Sequence, residues 1–432
     1  MRQNNYPSPD ARTAKQRLRE SIVAVYSLQG LNYIVPIALL PYLVRVLGFD
    51  NYGLLAFAQA FAQYFTILID YGFNFSATRS VARFRTDRDA ISNLFCAVSA
   101  IKMTFMLMGA ALLLGLVATV PRFHANAVFF VVAYLGVIGD TLFPVWLFQG
   151  LEKMRYISII TGSFKAAAAL CIFLFVHQPS DALIALTIQS LGGLIAGVTG
   201  ITFCLIHFRI QLHLPRTAAL AAVLRDGWHL FVSTAAVSLY TNTNVLLVGI
   251  LAGNAEAGYF SAAQKLIRPI QGLIVPASQA IFPHVNLLVT QSRDKALRFA
   301  RIALIWMGAP TLAASTLLFS LAGPLALLLF GASGTSTVPT IRWVAFLPFL
   351  IALSNVFGIQ TMIPLGFDKQ FSRILLLAGL INICVGVPLI HSFGAQGAGA
   401  AVLLAEMFVT GAMFGTLTKH GINVISAQKV LA

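Results

Sequence analysis

Four basic side chains sit inside long apolar runs of the sequence: Lys102, Lys165, Lys265 and Arg268. A charge at the centre of a bilayer costs ~2.5–3.5 kcal/mol on insertion scales, so residues of this kind usually face a water-filled cavity. The chemistry they offer is anion binding, because Coulomb attraction strengthens as the dielectric falls. Lys265 and Arg268 are spaced i,i+3, which puts both on one helix face. Lys102 is placed near mid-depth. Lys165 lies nearer an inner end, where its long stem also lets its ammonium snorkel to the headgroups. Asn242 and Asn244 are polar groups that can line the same cavity or bridge two helices.

Three acids accompany them. Asp140 stands in Gly139-Asp140-Thr141-Leu142-Phe143-Pro144, and Glu406 near the middle of the last apolar run. Asp70 lies near an inner end, within expected reach of Arg79 or Arg83. Asp140 and Glu406 suit either proton or ion coupling or simple neutralisation of a base. With more embedded bases than central acids, the cavity is expected to be net positive and to prefer anions.

Such residues need elements that cross a bilayer. The chain has 432 residues, is 58% hydrophobic and 10% charged, and has a mean hydropathy of +0.83. A soluble domain is roughly 25% charged, so an ordinary cytosolic enzyme is excluded. The apolar runs are continuous rather than short and alternating, which excludes a transmembrane β-barrel. A span needs ~20 mostly apolar residues. Twelve stretches qualify: 21–46, 52–72, 91–119, 125–149, 157–177, 182–207, 228–252, 257–289, 302–330, 340–364, 371–391 and 395–418. The expected fold is an all-α polytopic membrane protein with about twelve transmembrane helices in two six-helix lobes. Its parts are a basic tail at 1–20, an N-lobe at 21–208, an inter-lobe linker at 209–227, a C-lobe at 228–418 and a second tail at 419–432. The first run is too long for a signal-peptide core and is expected to be retained.

The charge balance agrees with this. There are 29 Lys and Arg against 14 Asp and Glu, a net +15. In a soluble protein that excess suggests nucleic acid; in a membrane protein it marks the cytoplasmic side. With the N-terminal tail inside and the spans alternating, 22 basic residues fall in inside segments. Only Arg122, Arg45 and Arg342 fall at the outer side. Both termini are therefore expected in the cytoplasm, with no nucleic-acid partner.

The two halves share a pattern. Gly53-Leu-Leu-Ala56-Phe-Ala58-Gln59 matches Gly258-Tyr-Phe-Ser261-Ala-Ala263-Gln264 at an offset of 205 residues, and Leu47-Gly48 precedes one as Ala252-Gly253 precedes the other. Both halves begin inside, so the repeats are parallel, the arrangement in which transporter halves enclose a midplane site. The run holding Lys265 and Arg268 also carries Pro269, Pro276 and Pro283, which bend a helix either statically or between states. Gly193-x-x-x-Gly197 and Gly411-x-x-x-Gly415 are read as helix-packing contacts. Cys96, Cys171, Cys204 and Cys384 read as small buried apolar residues without disulfide or zinc roles. No P-loop, HExxH or GxSxG motif occurs, so neither an ATPase module nor a catalytic site is expected, nor any metal or cofactor.

Several stretches resemble Wzx-type polysaccharide flippases of the MOP superfamily. They include Leu47-Gly48-Phe-Asp-Asn-Tyr52-Gly53 with Phe57-Ala58-Gln59-Ala60, and Asp70-Tyr71-Gly72-Phe73-Asn74 with Ala77-Thr78-Arg79. Trp146-Leu-Phe148-Gln149-Gly150-Leu-Glu152 is similar to the family's W-x-F-Q-G-x-E stretch. Tyr240-Thr241-Asn242-Thr243-Asn244, Gly258-Tyr259-Phe260-Ser261 and Gly394-x-x-Gly397 with Glu406 resemble its seventh, eighth and last helices. Gln264 departs from the acid expected before Lys265. The resemblance implies movement of an undecaprenyl-diphosphate-linked oligosaccharide across the bacterial inner membrane for O-antigen or exopolysaccharide synthesis. Membrane lipids, a polymerase and a chain-length regulator would be its partners. Lys102, Lys265 and Arg268 would receive the diphosphate or acidic sugars, with Lys165 and Arg45 secondary. Asn32, Gln271, Asn242 and Asn244 would meet the sugar, and Asp140 or Glu406 would couple an ion. The rival readings are a MATE-like ion-coupled drug exporter, which would want cavity acids, and a non-transporting scaffold of a polysaccharide assembly complex. A membrane-embedded glycosyltransferase would need a larger outer loop than this chain has.

Overall fold

The computed structural model describes the backbone of residues 11–424 and the side chains of 35–424, apart from those at 233, 236, 237, 239–242, 275, 280 and 283. All the regular elements among the described residues are helical. Among the described residues, eight stretches are long and apolar enough to cross a membrane, and a ninth is the bent pair 254–279 and 284–291. Apolar side chains cover the outside of the bundle: Leu107, Leu170, Leu328 and Phe393 are among many left exposed. That is the pattern expected where lipid, not water, is the solvent.

Two helices are too long for one crossing. Ala11–Asp70 has 60 residues and Asp368–Lys419 has 52, and a helix rises only ~1.5 Å per residue against a core of ~30 Å. Each contains one non-helical glycine: Gly48 at φ 73° and Gly394 at φ 56°. Glycine alone takes such a φ without a Cβ penalty. At Gly394 the chain reverses, since a Cβ on Gly397 would overlap the Leu389 carbonyl. Near Gly48, Tyr42 and Asn51 both bond one short loop, at the carbonyls of Val176 and Pro179. Each long helix thus supplies two of the expected spans.

The other spans follow as Arg88–Thr119, Ala127–Leu142 with Val145–Gly150, Met154–Phe175, Ala182–His207, Thr217–Leu251 and Asn254–Gln291. Arg293–Ser320 with Ala322–Phe330 comes next, and then Val338–Val344 with Leu347–Phe357. The fold is therefore an all-α polytopic bundle of about twelve crossing segments. One boundary differs from expectation: helix begins at Thr217, inside the stretch read as a linker. The bend of 44° between Gln279 and His284 spans Pro283, as a missing backbone donor requires.

The repeated glycines explain how the halves meet. The Ala11–Asp70 and Asn254–Gln291 helices pack most extensively of all pairs. A Cβ on Gly53 would overlap the Asn254 carbonyl oxygen, and one on Gly258 would overlap that of Phe49. Phe49 and Asn254 each lie four residues before the glycine of their own helix. The contact is thus a local two-fold relation between copies 205 residues apart in sequence. Gly139 packs likewise against Gly193 and Gly197, as the spacing suggested. Gly411 and Gly415 do not follow: a Cβ on either meets nothing within 4 Å. All four cysteines are free, but Cys384 is exposed rather than buried.

Candidate functional site

A cavity of about 820 Å³ lies between the two halves. Most of its wall comes from the first half. The helix ending at Asp70 presents Gln59, Gln63, Thr66 and Asp70 to it, at spacings of four, three and four residues, which is one helical face. Gln59 donates Nε2 to Gln189 Oε1 at 3.0 Å, and both line the cavity. Asp140 enters from Ala127–Leu142 and Lys165 from Met154–Phe175. The second half contributes Ser261, Gln264, Lys265 and Arg268, at spacings of three, one and three on a single face.

The charges divide by half. Lys102 Nζ donates to Asp70 Oδ1 at 2.9 Å, and Asn74 Nδ2 to Asp70 Oδ2 at 3.3 Å. Asp140 shares the lining with Thr66 and lies within Coulombic reach of Asp70, Lys102 and Lys165. The first half thus brings two acids and two bases together, one on each of four successive segments. The second half brings Lys265 and Arg268 and no acid to the cavity. Lys265 Nζ lies 5.0 Å from the Tyr52 ring centroid, a cation–π distance. Among the described residues neither Lys265 nor Arg268 forms an ion pair.

Several expected site residues lie elsewhere. Lys102 is 3% exposed and does not line the cavity. It is committed to Asp70, which was expected to pair with Arg79 or Arg83. Arg45 caps the end of another helix, donating Nε to Leu329 O at 2.9 Å and Nη2 to Leu328 O. Glu406 is buried and accepts from Ser354 Oγ at 2.6 Å, away from the cavity. Asn244 is 1% exposed and Gln271 also falls outside the lining. The side chains of Asn32 and Asn242 lie outside the described residues. The charged side chains lining the chamber are Lys165, Lys265 and Arg268 with Asp70 and Asp140, so acids and bases mix there, and the cations of the second half have no acid on their own wall.

Sequence reasoning passed over Gln59, Gln63, Thr66 and Gln189. Their signal was the helical spacing of the first three in an otherwise apolar run. The W-x-F-Q-G-x-E stretch, by contrast, is structural. Trp146 is buried, its carbonyl accepts from Thr78 Oγ1 at 3.1 Å, and Glu152 pairs with Arg85 at 2.6 Å.

The family description "Polysaccharide biosynthesis protein" matches residues 18–289. A protein of Escherichia coli (strain K12), named for O-antigen transport, is 33% identical over 407 residues, covering 93% of this chain and 97% of its own length. The chain belongs to the polysaccharide biosynthesis protein family. A second relative named for O-antigen transport, from Shigella dysenteriae, is 28% identical over 91% of this chain and 98% of its own. Among solved structures, the lipid II flippase MurJ in an inward closed conformation matches with TM-score 0.69 at 11% identity, over 92% of this chain and 87% of its own. An inward-facing multidrug resistance MATE transporter matches with TM-score 0.68 at 13% identity, over 94% and 96%. The fold of this family member is therefore the one these two solved structures share.

Proposed function

We propose that this protein is a flippase for a lipid-linked oligosaccharide, and that Lys265 and Arg268 receive the anionic diphosphate of its undecaprenyl carrier. The observation that carries this reading is the split of charge across the cavity. An arriving anion gains little from Lys102 and Lys165, which already face carboxylates. It gains most at Lys265 and Arg268, which have no acid on their wall. Charge-assisted hydrogen bonds to phosphate are among the stronger polar contacts. Amides along the Gln59–Asp70 face and Gln189 then meet sugar hydroxyls, and the prenyl tail stays in lipid between the halves. The names carried by the Escherichia coli and Shigella relatives support this cargo class.

The halves would alternate access about the cavity, in the bacterial inner membrane with both termini cytoplasmic, handing product to a polymerase and chain-length regulator. No chemistry is performed on the cargo in this reading. The test is export of surface polymer from a strain lacking the native gene and carrying Lys265→Ala with Arg268→Ala. Export should be lost at a normal protein level in the membrane; undiminished export rejects the assignment. Asp70 and Asp140 on the cavity wall are the one observation that favours a MATE-like drug exporter. That reading requires the chain to lower sensitivity to cationic drugs, and the same strain reports it.

A further inference from the structure

We infer that the cavity sorts its cargo by sugar charge: its first-half wall admits neutral or amino-bearing sugars and rejects carboxylate-bearing ones. The inference rests on the flippase reading above and names the sugar class it left open.

The two walls differ in what they leave for a guest. On the second-half wall, Lys265 and Arg268 are cations without an acidic neighbour in the lining. On the first-half wall, each base has an acid near it. Lys102 is held by Asp70 at 2.9 Å and is withdrawn from the lining, and Lys165 shares the lining with Asp140 and lies within its Coulombic reach. Besides Lys165, that wall presents carboxylate oxygen from Asp70 and Asp140 and carboxamide from Gln59, Gln63 and Gln189. Carboxylates accept only, whereas carboxamides both donate and accept. Sugar hydroxyls, acetamido N–H groups and ammonium groups can all satisfy such a surface. A further carboxylate on the guest fits worse: it meets the like charges of Asp70 and Asp140 at short range in a medium of low dielectric, and the one cation on that wall, Lys165, already has Asp140 near it. Because the diphosphate is drawn to the opposite wall, the first sugars are pinned against this one. The reducing-end sugars are therefore the ones inspected.

The test uses the full-length protein in lipid nanodiscs and three soluble probes. These are farnesyl diphosphate, farnesyl-diphosphate-linked N-acetylglucosamine and farnesyl-diphosphate-linked glucuronic acid. In the wild type the acetamido probe should bind at least about tenfold more tightly than the uronate probe, a ratio worth ~1.4 kcal/mol. Asp140→Asn should pull that ratio towards one by improving uronate binding. Gln63→Glu adds a carboxylate to the same wall and should widen it. Opposite shifts of this kind cannot come from a general loss of folding. Equal affinity for the two sugars in the wild type overturns the inference while leaving the flippase reading intact. So does a ratio that neither substitution moves. Failure of all three probes to bind the wild type overturns both.

Discussion

Removing the members of the Asp70–Lys102 pair one at a time should cost unequal amounts. The Lys102 side chain is 4% exposed and that of Asp70 is 28% exposed, on the cavity side. Asp70→Asn leaves an ammonium buried without its carboxylate, a loss of about 3–5 kcal/mol when a buried pair is broken. Asp140 remains within Coulombic reach of Lys102, so the lower end, about 3 kcal/mol, is expected. Lys102→Met keeps the length and packing of the side chain. It leaves a carboxylate that still accepts from Asn74 and opens onto the cavity, so the expected loss is about 1–2 kcal/mol. The double variant removes both charges and should lie within about 1 kcal/mol of the wild type, because burying neither ion avoids both desolvation costs. The assay is thermal unfolding of the purified protein in detergent, compared as inactivation rates where unfolding is irreversible. Lys102→Met proving as damaging as Asp70→Asn would refute the reasoning, as would a double variant as unstable as the two losses added.

Gly53→Ala and Gly258→Ala should each destabilise by about 1–3 kcal/mol, since the new methyl overlaps backbone that cannot move aside. Gly411→Ala, which meets open space, should be neutral or slightly stabilising; the three unfolding midpoints check this. Asp181 accepts from the backbone N–H groups of His177 and Gln178, and the His177 bond above all holds its carboxyl below the usual range. Its stabilising contribution is thus full above the ordinary carboxylate pKa of ~3.9 and is lost as pH falls through the lower folded value. Asp181→Asn should therefore be less stable than the wild type at neutral pH, with the gap closing in acid; a gap independent of pH rejects the assignment. Arg122 donates Nη2 to Gly249 O and lies 5.5 Å over the Phe57 ring. Its replacement by Ala should loosen this tie between the halves by about 1.5–3 kcal/mol. Ala125→Cys, lining the small hollow beside it, should then react faster with an impermeant maleimide, and an unchanged rate counts against the tie.

The spans were legible because apolar length is set by the bilayer, whatever lies next to each helix. The glycine repeat was legible too, as an offset of 205 residues, although only the structure shows that its two copies touch each other. Partners were not legible. Asp70 and Lys102 are 32 residues apart on different helices, so nothing local favoured Lys102 over the nearer Arg79. Glu406 was placed at the right depth, but depth does not reveal which side of a helix meets the cavity. Its carboxylate turns to Ser354 instead. Arg45 followed the same logic: a basic residue at a helix end finds carbonyl oxygens as readily as a ligand. The amides of the Gln59–Asp70 face were legible by spacing and escaped notice because each alone is unremarkable.

The meeting of Gly53 with Gly258 has a mechanical consequence. Most helix pairs interlock through side chains, and sliding one past another means unseating each knob from its hole. Here main chain rests on main chain at the centre, with the Phe49 and Tyr259 rings packed 4.6 Å apart beside it. With no spare volume at its centre, this contact fixes how far apart the two halves stand near one end of the bundle, and a single added carbon there has nowhere to go.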